Sequence, residues 1–471
     1  MPTKLHRLPP RLHPDAQRLI GDSHFINLVS GAPSPCNIVF PGIFTENINA
    51  LEEVLRSRLD SYSIYFAHKA NQSGAFITAA KKSGIGVDVA SLEELKHTLD
   101  HGILPDMIEA TGPKTQRFLE VLVAHGCLIN VDSLDELKTI LSMIQNEDTS
   151  KQRVYLRLGE IRNMNTHSRF GLSRKDMELA IKLIAKRQSK LDLVGIAFHI
   201  DSSELRERAQ AISDALDWTK RAVREGLRPT HLNIGGGFRQ VFSSDSKAWH
   251  TYIDGLKQGL VGTAEPLTWM GTTFGYQVAN HSITGIPVFH KYGNTQSATS
   301  QLQELLDYNM LEYGNVSLSH VMNDMLLSLV IEPGKATVDG AGITISTVIS
   351  SKVVGSDRIV TLDIKRDDIV PLDQEVMLDP IIISRHPRTT KQPCGVYFAG
   401  TLCLERDMIY QHKTFLEDKP EPGDIVVFAN TAAYQMDISA SQALMHKRLQ
   451  KYVAHDSTSW KLLRDSEKER R

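Results

Sequence analysis

The apolar run Ile64-Tyr65-Phe66-Ala67 leads through His68 into Lys69, and the polar pair Asn71-Gln72 follows. Such a run reads as a buried strand that delivers an amine at its C-terminal end. Lysine is seldom buried without a partner, and a desolvated lysine has a lowered pKa and serves as a Schiff-base nucleophile. The plainer reading is a stem laid along the strand end with its charge in water. Three further groups bear on the choice. Gly235-Gly236-Gly237-Phe238 either lets backbone amides approach an anion closely or makes a tight turn. Glu332-Pro333-Gly334-Lys335 offers an acid, a close-approach glycine and a cation. His199-Ile200-Asp201-Ser202-Ser203 carries a histidine that suits a core or a site, and serines that suit a helix cap or a phosphate. Arg157 and Asp88 are charges near apolar run ends and need partners, and a structural ion pair is the plain reading of each.

The elements that must position these groups recur with a rhythm. Apolar runs at Ile64–Ala67, Ile85–Val89, Met107–Ala110, Leu128–Val131, Val154–Leu158, Leu193–Ile200, Leu232–Ile234 and Leu329–Ile331 alternate mostly with segments of helical periodicity. The clearest of those segments puts Leu205, Ala209, Ile212, Leu216 and Val223 on one face. Eight near-continuous apolar strands alternating with helices predict a TIM-type (β/α)8 barrel. In that fold strand C-termini carry the chemistry, and the loops after strands seven and eight commonly hold a phosphate. Lys69 then ends the first strand, His199 lies in the sixth, and the glycines and Glu332 follow the seventh and eighth.

The barrel is expected over 46–335, with an insertion around 240–320. The insertion's aromatic stretch (Trp269, Phe274, Tyr276, Phe289, Tyr292) either covers the barrel mouth or packs on its own rings. Residues 336–471 are expected to form a mostly antiparallel β domain, which segment 1–45 partly joins. Its strand candidates are Thr344–Val354, Arg358–Ile364, Val376–Ile383, Val396–Phe398, Met408–Tyr410 and Ile425–Phe428, with Asn37–Phe40 from the N-terminal segment. The end, Arg464 to Arg471, is a charge run expected to be frayed or solvated.

Composition bounds the rest. A chain of 471 residues, 41% apolar and 23% charged, is a soluble globular protein with room for two domains. A net charge of −2 argues against nucleic acid or an anionic membrane as the main partner. Cys36, Cys127, Cys394 and Cys403 have neither metal-type spacing nor disulfide density, so reduced thiols, a cytoplasmic location and no metal are expected. No signal-peptide segment or membrane-length apolar run is visible.

A strand-end lysine, a phosphate cradle and an adjacent acid together suit pyridoxal 5′-phosphate. The lysine anchors it, the cradle takes the phosphate, and the acid keeps the pyridine nitrogen protonated as an electron sink. At this point the chain resembles the fold-type III pyridoxal-phosphate decarboxylases, which include diaminopimelate, ornithine and arginine decarboxylases on an alanine-racemase-like barrel. The likeness runs over about 36–440. Tyr65–Asn71 is similar to Y-A-V-K-A-N, which implies that Lys69 is the aldimine lysine. Gly86–Ser91 with Glu94 is similar to the second-strand segment that holds Asp88, and His167–Gly171 resembles S-K-F-G. His199–Ser202 resembles H-I-G-S, which implies that His199 stacks on the cofactor ring and Ser202 touches phosphate. Gly235, Gly236 and Gly237 match the glycine loop, and Glu332–Lys335, with Gly334 inside it, matches E-P-G-R. Gly400–Cys403 with Asp407 resembles G-x-x-C-x-x-x-D, which in the family enters the neighbouring subunit's site. Ala432–Tyr434 resembles G-A-Y, whose tyrosine reaches the phosphate.

The departures are as specific. Lys335 stands for an arginine and gives up a bidentate fork. Asp201 stands for a glycine beside the expected phosphate, and His68 for a small apolar residue. Leu404 stands where relatives reading a distal amine carry an acid, with Glu405 one place along. Asp379-Pro380 stands for arginine-proline. Arg385, Arg388 or Arg406 is then a candidate for an anionic substrate end. The resemblance implies an amino-acid decarboxylase using Lys69, His199, Glu332 and Cys403, with Asp88, Arg157, Ser202, Gly334, Lys335 and Tyr434 on the cofactor. Cys403, Glu405, Asp407 and Arg385 are expected at the substrate. Cys403 would reprotonate the substrate from the partner subunit, which makes the working unit a homodimer with composite sites. The alternatives are a racemase on the same fold and a catalytically silent cofactor-binding homologue.

Overall fold

The computed structural model describes residues 6–31, 34–144, 151–164, 168–202, 204–243, 245–370, 376–386, 388–456 and 459–465. It divides into two compact units. One comprises 45–239 and 297–337; the other comprises 1–44, 240–296 and 338–471.

The first unit is a closed barrel of eight parallel strands. They are β1 (Tyr62–Ala67), β2 (Gly86–Val89), β3 (Ile108–Ala110), β4 (Leu128–Val131), β5 (Gln152–Arg157), β6 (Leu191–Ala197), β7 (His231–Asn233) and β8 (Ser328–Ile331). β8 closes the ring by pairing in parallel with both β7 and β1. Each strand falls on one of the eight expected apolar runs, because strands covered on both faces have no solvent side to leave polar. The helices between them begin on ordinary caps. Ser91, Ser133 and Ser173 each accept a hydrogen bond from the backbone N–H three residues on, which satisfies an orphan donor of the first turn.

The helix Leu205–Arg224 follows β6. Its buried stripe runs through Arg208, Ala211, Ile212, Ala215, Trp218 and Ala222, and Val223 is exposed. Of the expected face, Ala209, Ile212 and Leu216 are buried, while Leu205 and Val223, at the same angle but at the two ends of the helix, are half-buried and exposed.

The second unit contains a nine-stranded sheet. Cys36–Val39 lies at its centre, antiparallel to Gly342–Val354 and parallel to Gln450–Asp456. Asp357–Leu362, Cys394–Ala399 and Ile425–Phe428 are strands close to where the sequence puts them. Two expectations change. Of Val376–Ile383 only Ile381–Ile383 is a strand, since Val376, Met377 and Leu378 are buried in an aromatic cluster instead. Met408–Tyr410 makes a single bridge, Ala399 to Met408, and Thr414–Leu416 supplies the strand. Residues 240–296, expected as a barrel insertion, group with this unit. Phe274, Tyr276, Phe289 and Tyr292 pack with Leu8, Tyr252, Met377 and Phe415. Most of the charged end, 466–471, lies outside the described residues.

Candidate active site

Lys69 follows β1 in the single 3-10 turn His68–Ala70. The turn takes the lysine just past the strand end, while His68 is buried with its Nε2 2.9 Å from His97 Nδ1. That contact accounts for a histidine where a small residue is usual: the ring has its own polar partner on the next helix but one. Lys69 Nζ lies 3.5 Å from Asp88 Oδ2 at the end of β2. Asp88 is fully enclosed; its Oδ1 accepts a hydrogen bond from Thr111 Oγ1 at 2.7 Å. Its Oδ2 has no hydrogen-bond partner among the described residues. Glu94 reaches back from the following helix to accept the Ala90 N–H at 2.7 Å. Burial pushes its pKa up to about 7; the Ala90 amide opposes the rise, the charge of Asp88 adds to it, and Lys69 opposes it.

Glu332 follows β8 and is buried. Asn233, the last residue of β7, donates through Nδ2 to Glu332 Oε1 at 2.6 Å. The same amide donates to both oxygens of Glu109, at 3.0 and 3.1 Å, and Asn130 donates to Glu109 Oε1 at 3.0 Å. Asn233 is held in this orientation because its Oδ1 accepts the Gly235 N–H at 2.8 Å. Glu109, in the middle of β3, is fully buried, and burial first, then the charges of Glu332 and Asp88, push its pKa well above the carboxylate range. Burial thus favours the protonated form of Glu109, whose carboxyl is hydrogen-bonded to that of Glu332. Burial, then the charge of Asp88, also raises Glu332, while Lys69, Asn233 and Glu109 oppose the rise.

His199 follows β6. The Gly236 N–H donates to its Nδ1 at 3.1 Å, which requires a neutral ring with the proton on Nε2. Enclosure in the cavity, then the positive charges of Lys69 and Arg157, push its pKa down in the same direction. Arg157, at the end of β5, has Nη1 3.6 Å from Asp132 Oδ1, and its guanidinium sits 4.7 Å from the centre of the Phe170 ring. Of the segment 167–171, His167 lies outside the described residues.

The loops after β6, β7 and β8 are knitted together. The Glu332 N–H donates to Gly235 O at 2.9 Å, and a Cβ on Gly236 would come within 2.5 Å of Glu332 O. Gly235 and Gly237 have φ of +66° and +75°, so only glycine fits without strain. Two departures meet each other: Lys335 Nζ lies 3.7 Å from Asp201 Oδ2. Gly334 closes the turn after Pro333, its carbonyl accepting from Thr337 Oγ1 at 2.7 Å. Ser202, expected on phosphate, directs its hydroxyl to the Glu207 carboxylate and accepts the Glu204 N–H at 3.1 Å, ahead of the helix Leu205–Arg224, whose N-cap is Glu204.

Lys69, Thr111, Arg157, Phe170, His199 and Glu332 are among the residues that line a cavity of about 410 Å³. That volume is of the size that encloses a small cofactor. Residues 45–262 match the family model described as the pyridoxal-binding domain of pyridoxal-dependent decarboxylases. An uncharacterized protein, y4yA, of Sinorhizobium fredii is 30% identical over 420 residues, covering 88% of this chain and 86% of that one. The chain belongs to the fold-type III pyridoxal-phosphate decarboxylase family. Diaminopimelate decarboxylase of Helicobacter pylori is 22% identical over 395 residues, covering 79% of this chain and 78% of the other. The crystal structure of the Helicobacter pylori enzyme complexed with L-lysine superposes with a TM-score of 0.68 at 19% identity, covering 93% and 96% of the two chains. At that identity the superposition speaks for the fold.

The family's cofactor is pyridoxal 5′-phosphate, and the residues present fit it. Lys69 offers the amine, and Glu332 the acid. The neutral imidazole of His199 offers a flat face. The glycine loop leaves the Gly237 and Phe238 N–H groups without an acceptor among the described residues. Among the same residues no group of three or more His, Cys, Asp or Glu is arranged for a metal, and no helix is long and apolar enough to cross a membrane.

In the second unit Cys403 is exposed, with Leu404, Glu405 and Arg406 beside it on the loop 400–407. Asp407, expected at the substrate, is buried with both oxygens taken: Leu402 N–H donates to Oδ2 at 2.6 Å and Arg366 N–H to Oδ1 at 2.8 Å. It braces the loop that presents Cys403. Arg385 is exposed beside the Gly423 turn, and Arg388 is engaged by Asp418 and Asp424. Asp379 is structural: its Oδ2 accepts the Leu8 N–H at 2.6 Å and its Oδ1 lies 3.3 Å from His412 Nε2. Tyr434 sits in a turn with φ of +64°, its carbonyl accepting from Asp437 and Ile438.

Two residues of the barrel site went unnoticed in the sequence, Glu109 and Arg208. Each leaves the same signal that drew attention to Arg157: a lone charge on an otherwise apolar strand or helix face.

Proposed function

We propose that the chain is a decarboxylase that removes the α-carboxylate of an amino acid, working as a dimer with composite sites. The observation that carries this reading is the acid cluster on the cavity wall: a carboxylate held by Asn233 and Glu109, where a cation would leave the cofactor's ring unprotonated. Pyridoxal phosphate supplies an electron sink for the pair released with carbon dioxide. Lys69 Nζ would hold the cofactor, and Asp88, 3.5 Å away, would pair with its ammonium when the amine is free. Glu332 keeps the ring nitrogen protonated, and Glu109 keeps Glu332 in its ionised form by hydrogen bonding to it. The neutral His199 ring gives the cofactor a flat apolar face. Arg157, fixed by Asp132 and Phe170, keeps positive charge at the cavity. Cys403 of the partner subunit then gives its proton to the substrate's α-carbon as a general acid, from a loop that Asp407 holds rigid.

The test is to incubate the cofactor-loaded protein with single amino acids, diaminopimelate, lysine, ornithine and arginine among them, and to measure carbon dioxide and identify the product. Release of carbon dioxide with one equivalent of amine from some of them is expected. Cys403→Ala should slow amine formation about 10²-fold or more while leaving the bound cofactor's spectrum unchanged. Interconversion of enantiomers without carbon dioxide would make the chain a racemase, and inertness toward every amino acid would make it a silent homologue.

A further inference from the structure

Arg208, in the first turn of the helix Leu205–Arg224, is 1% exposed. Among the described residues its guanidinium makes no hydrogen bond to a carboxylate. Nε donates to Ser202 O at 3.0 Å, and Nη2 donates to Ile200 O, Gly236 O and Gly237 O at 3.3, 3.1 and 2.6 Å. Nη1 is buried with no partner among the described residues. Burial lowers its pKa to about 10, against the pull of Asp201, so at neutral pH it remains a cation. A buried charge whose hydrogen bonds go only to carbonyls is expensive unless an anion joins it.

The carbonyls it collects say where that anion belongs. In a trans peptide the C=O and the following N–H point opposite ways. Drawing Gly236 O and Gly237 O onto Arg208 therefore turns the Gly237 and Phe238 N–H groups away from it, and those two donors are the ones left without acceptors in the glycine loop. Arg208 thus shapes the loop as an anion-binding nest and puts a positive charge behind it. Lys335, in the place of the usual arginine, lies 3.7 Å from Asp201, whose negative charge offsets part of its field.

We propose that Arg208 is the counter-cation of the cofactor's phosphate, a binding and positioning residue that takes over the charge Lys335 shares with Asp201. This rests on the pyridoxal-phosphate reading above. A residue acting only as a brace for the fold would support any ligand of the cavity equally, whereas a phosphate counter-cation acts on the phosphate alone.

The experiment is to titrate the full-length cofactor-free protein with pyridoxal 5′-phosphate and, separately, with pyridoxal, which has the same ring without the phosphate, following absorbance. In Arg208→Met the affinity for pyridoxal phosphate should fall about ten- to hundredfold, the scale of a lost charge-assisted contact, with pyridoxal affinity unchanged. Arg208→Lys, which keeps the charge without the fork, should fall between. Equal losses for both ligands, or no loss for pyridoxal phosphate, would overturn the proposal. If Arg208→Met does not fold, Arg208→Lys decides: the preference for the phosphorylated ligand must drop about threefold or more. Wild-type protein that binds neither ligand would instead refute the pyridoxal-phosphate reading itself, and the inference with it.

Discussion

Inside the barrel wall, Asp88, Glu109 and Glu332 bring three carboxylates together with two asparagines and one lysine. In the loops after β6, β7 and β8, beside the Lys335–Asp201 pair, most of the polar material is backbone: three glycines, four carbonyls gathered by Arg208, and two amides without acceptors among the described residues. The first region stabilises positive charge by holding more acids than it can ionise. The second stabilises negative charge with few side chains, because glycine lets the main chain come close enough to do the work. The two regions thus suit groups of opposite charge.

The comparison can be broken from either side. The largest effect is expected from Glu332→Gln, which removes the ionised member of the acid pair; kcat for amine formation should fall about 10²–10³-fold with cofactor affinity little changed. Glu109→Leu should cost about tenfold in kcat/KM at neutral pH, since the hydrogen bond that lowers the Glu332 pKa is lost. With that bond gone Glu332 takes up a proton at higher pH, so the acid limb of the pH–rate profile should move upward, and Glu109→Gln should restore part of it. On the cradle side, Gly236→Ala forces a Cβ against the Glu332 carbonyl and should lower stability by about 1–3 kcal/mol, read by thermal melting without cofactor. The smallest effect concerns Glu94. Its folded pKa of about 7 lies above the ordinary 4.5, so the folded state binds a proton more tightly and loses stability as pH rises between those values. Glu94→Gln should therefore gain on wild type by about 1 kcal/mol from pH 4.5 to pH 8 in denaturant titrations.

Much of this was legible from residue order alone. Barrel strands are apolar on both faces, so all eight stand out as runs, and the glycines and charged residues at their ends mark the site. Less legible were interactions that cross between elements. Ser202 suits a cap and a phosphate equally in sequence, and no local pattern shows that its hydroxyl meets Glu207 and the Glu204 N–H. Lys335 and Asp201, each unfavourable alone, form a pair that no local pattern reveals. Glu109 is one acid in a four-residue run, and Arg208 one cation on an alanine-lined stripe. In the second unit, Met408–Tyr410 has the composition of a strand but satisfies its burial through side-chain packing, and Asp407 looks like a ligand-facing acid although two backbone amides claim it. Residues 240–296 showed aromatic content but not the partners, Leu8, Met377 and Phe415, that those rings pack on.

The most direct measurement is the visible absorption spectrum of the purified protein reconstituted with pyridoxal phosphate, beside Lys69→Ala. The account predicts a band above 400 nm, on the order of the yellow colour of a lysine-anchored cofactor, that borohydride bleaches in wild type and that Lys69→Ala lacks. A wild-type protein without that band in excess cofactor, or a Lys69→Ala variant that keeps it, would contradict the assignment of Lys69 as the anchor and the mechanism built on it.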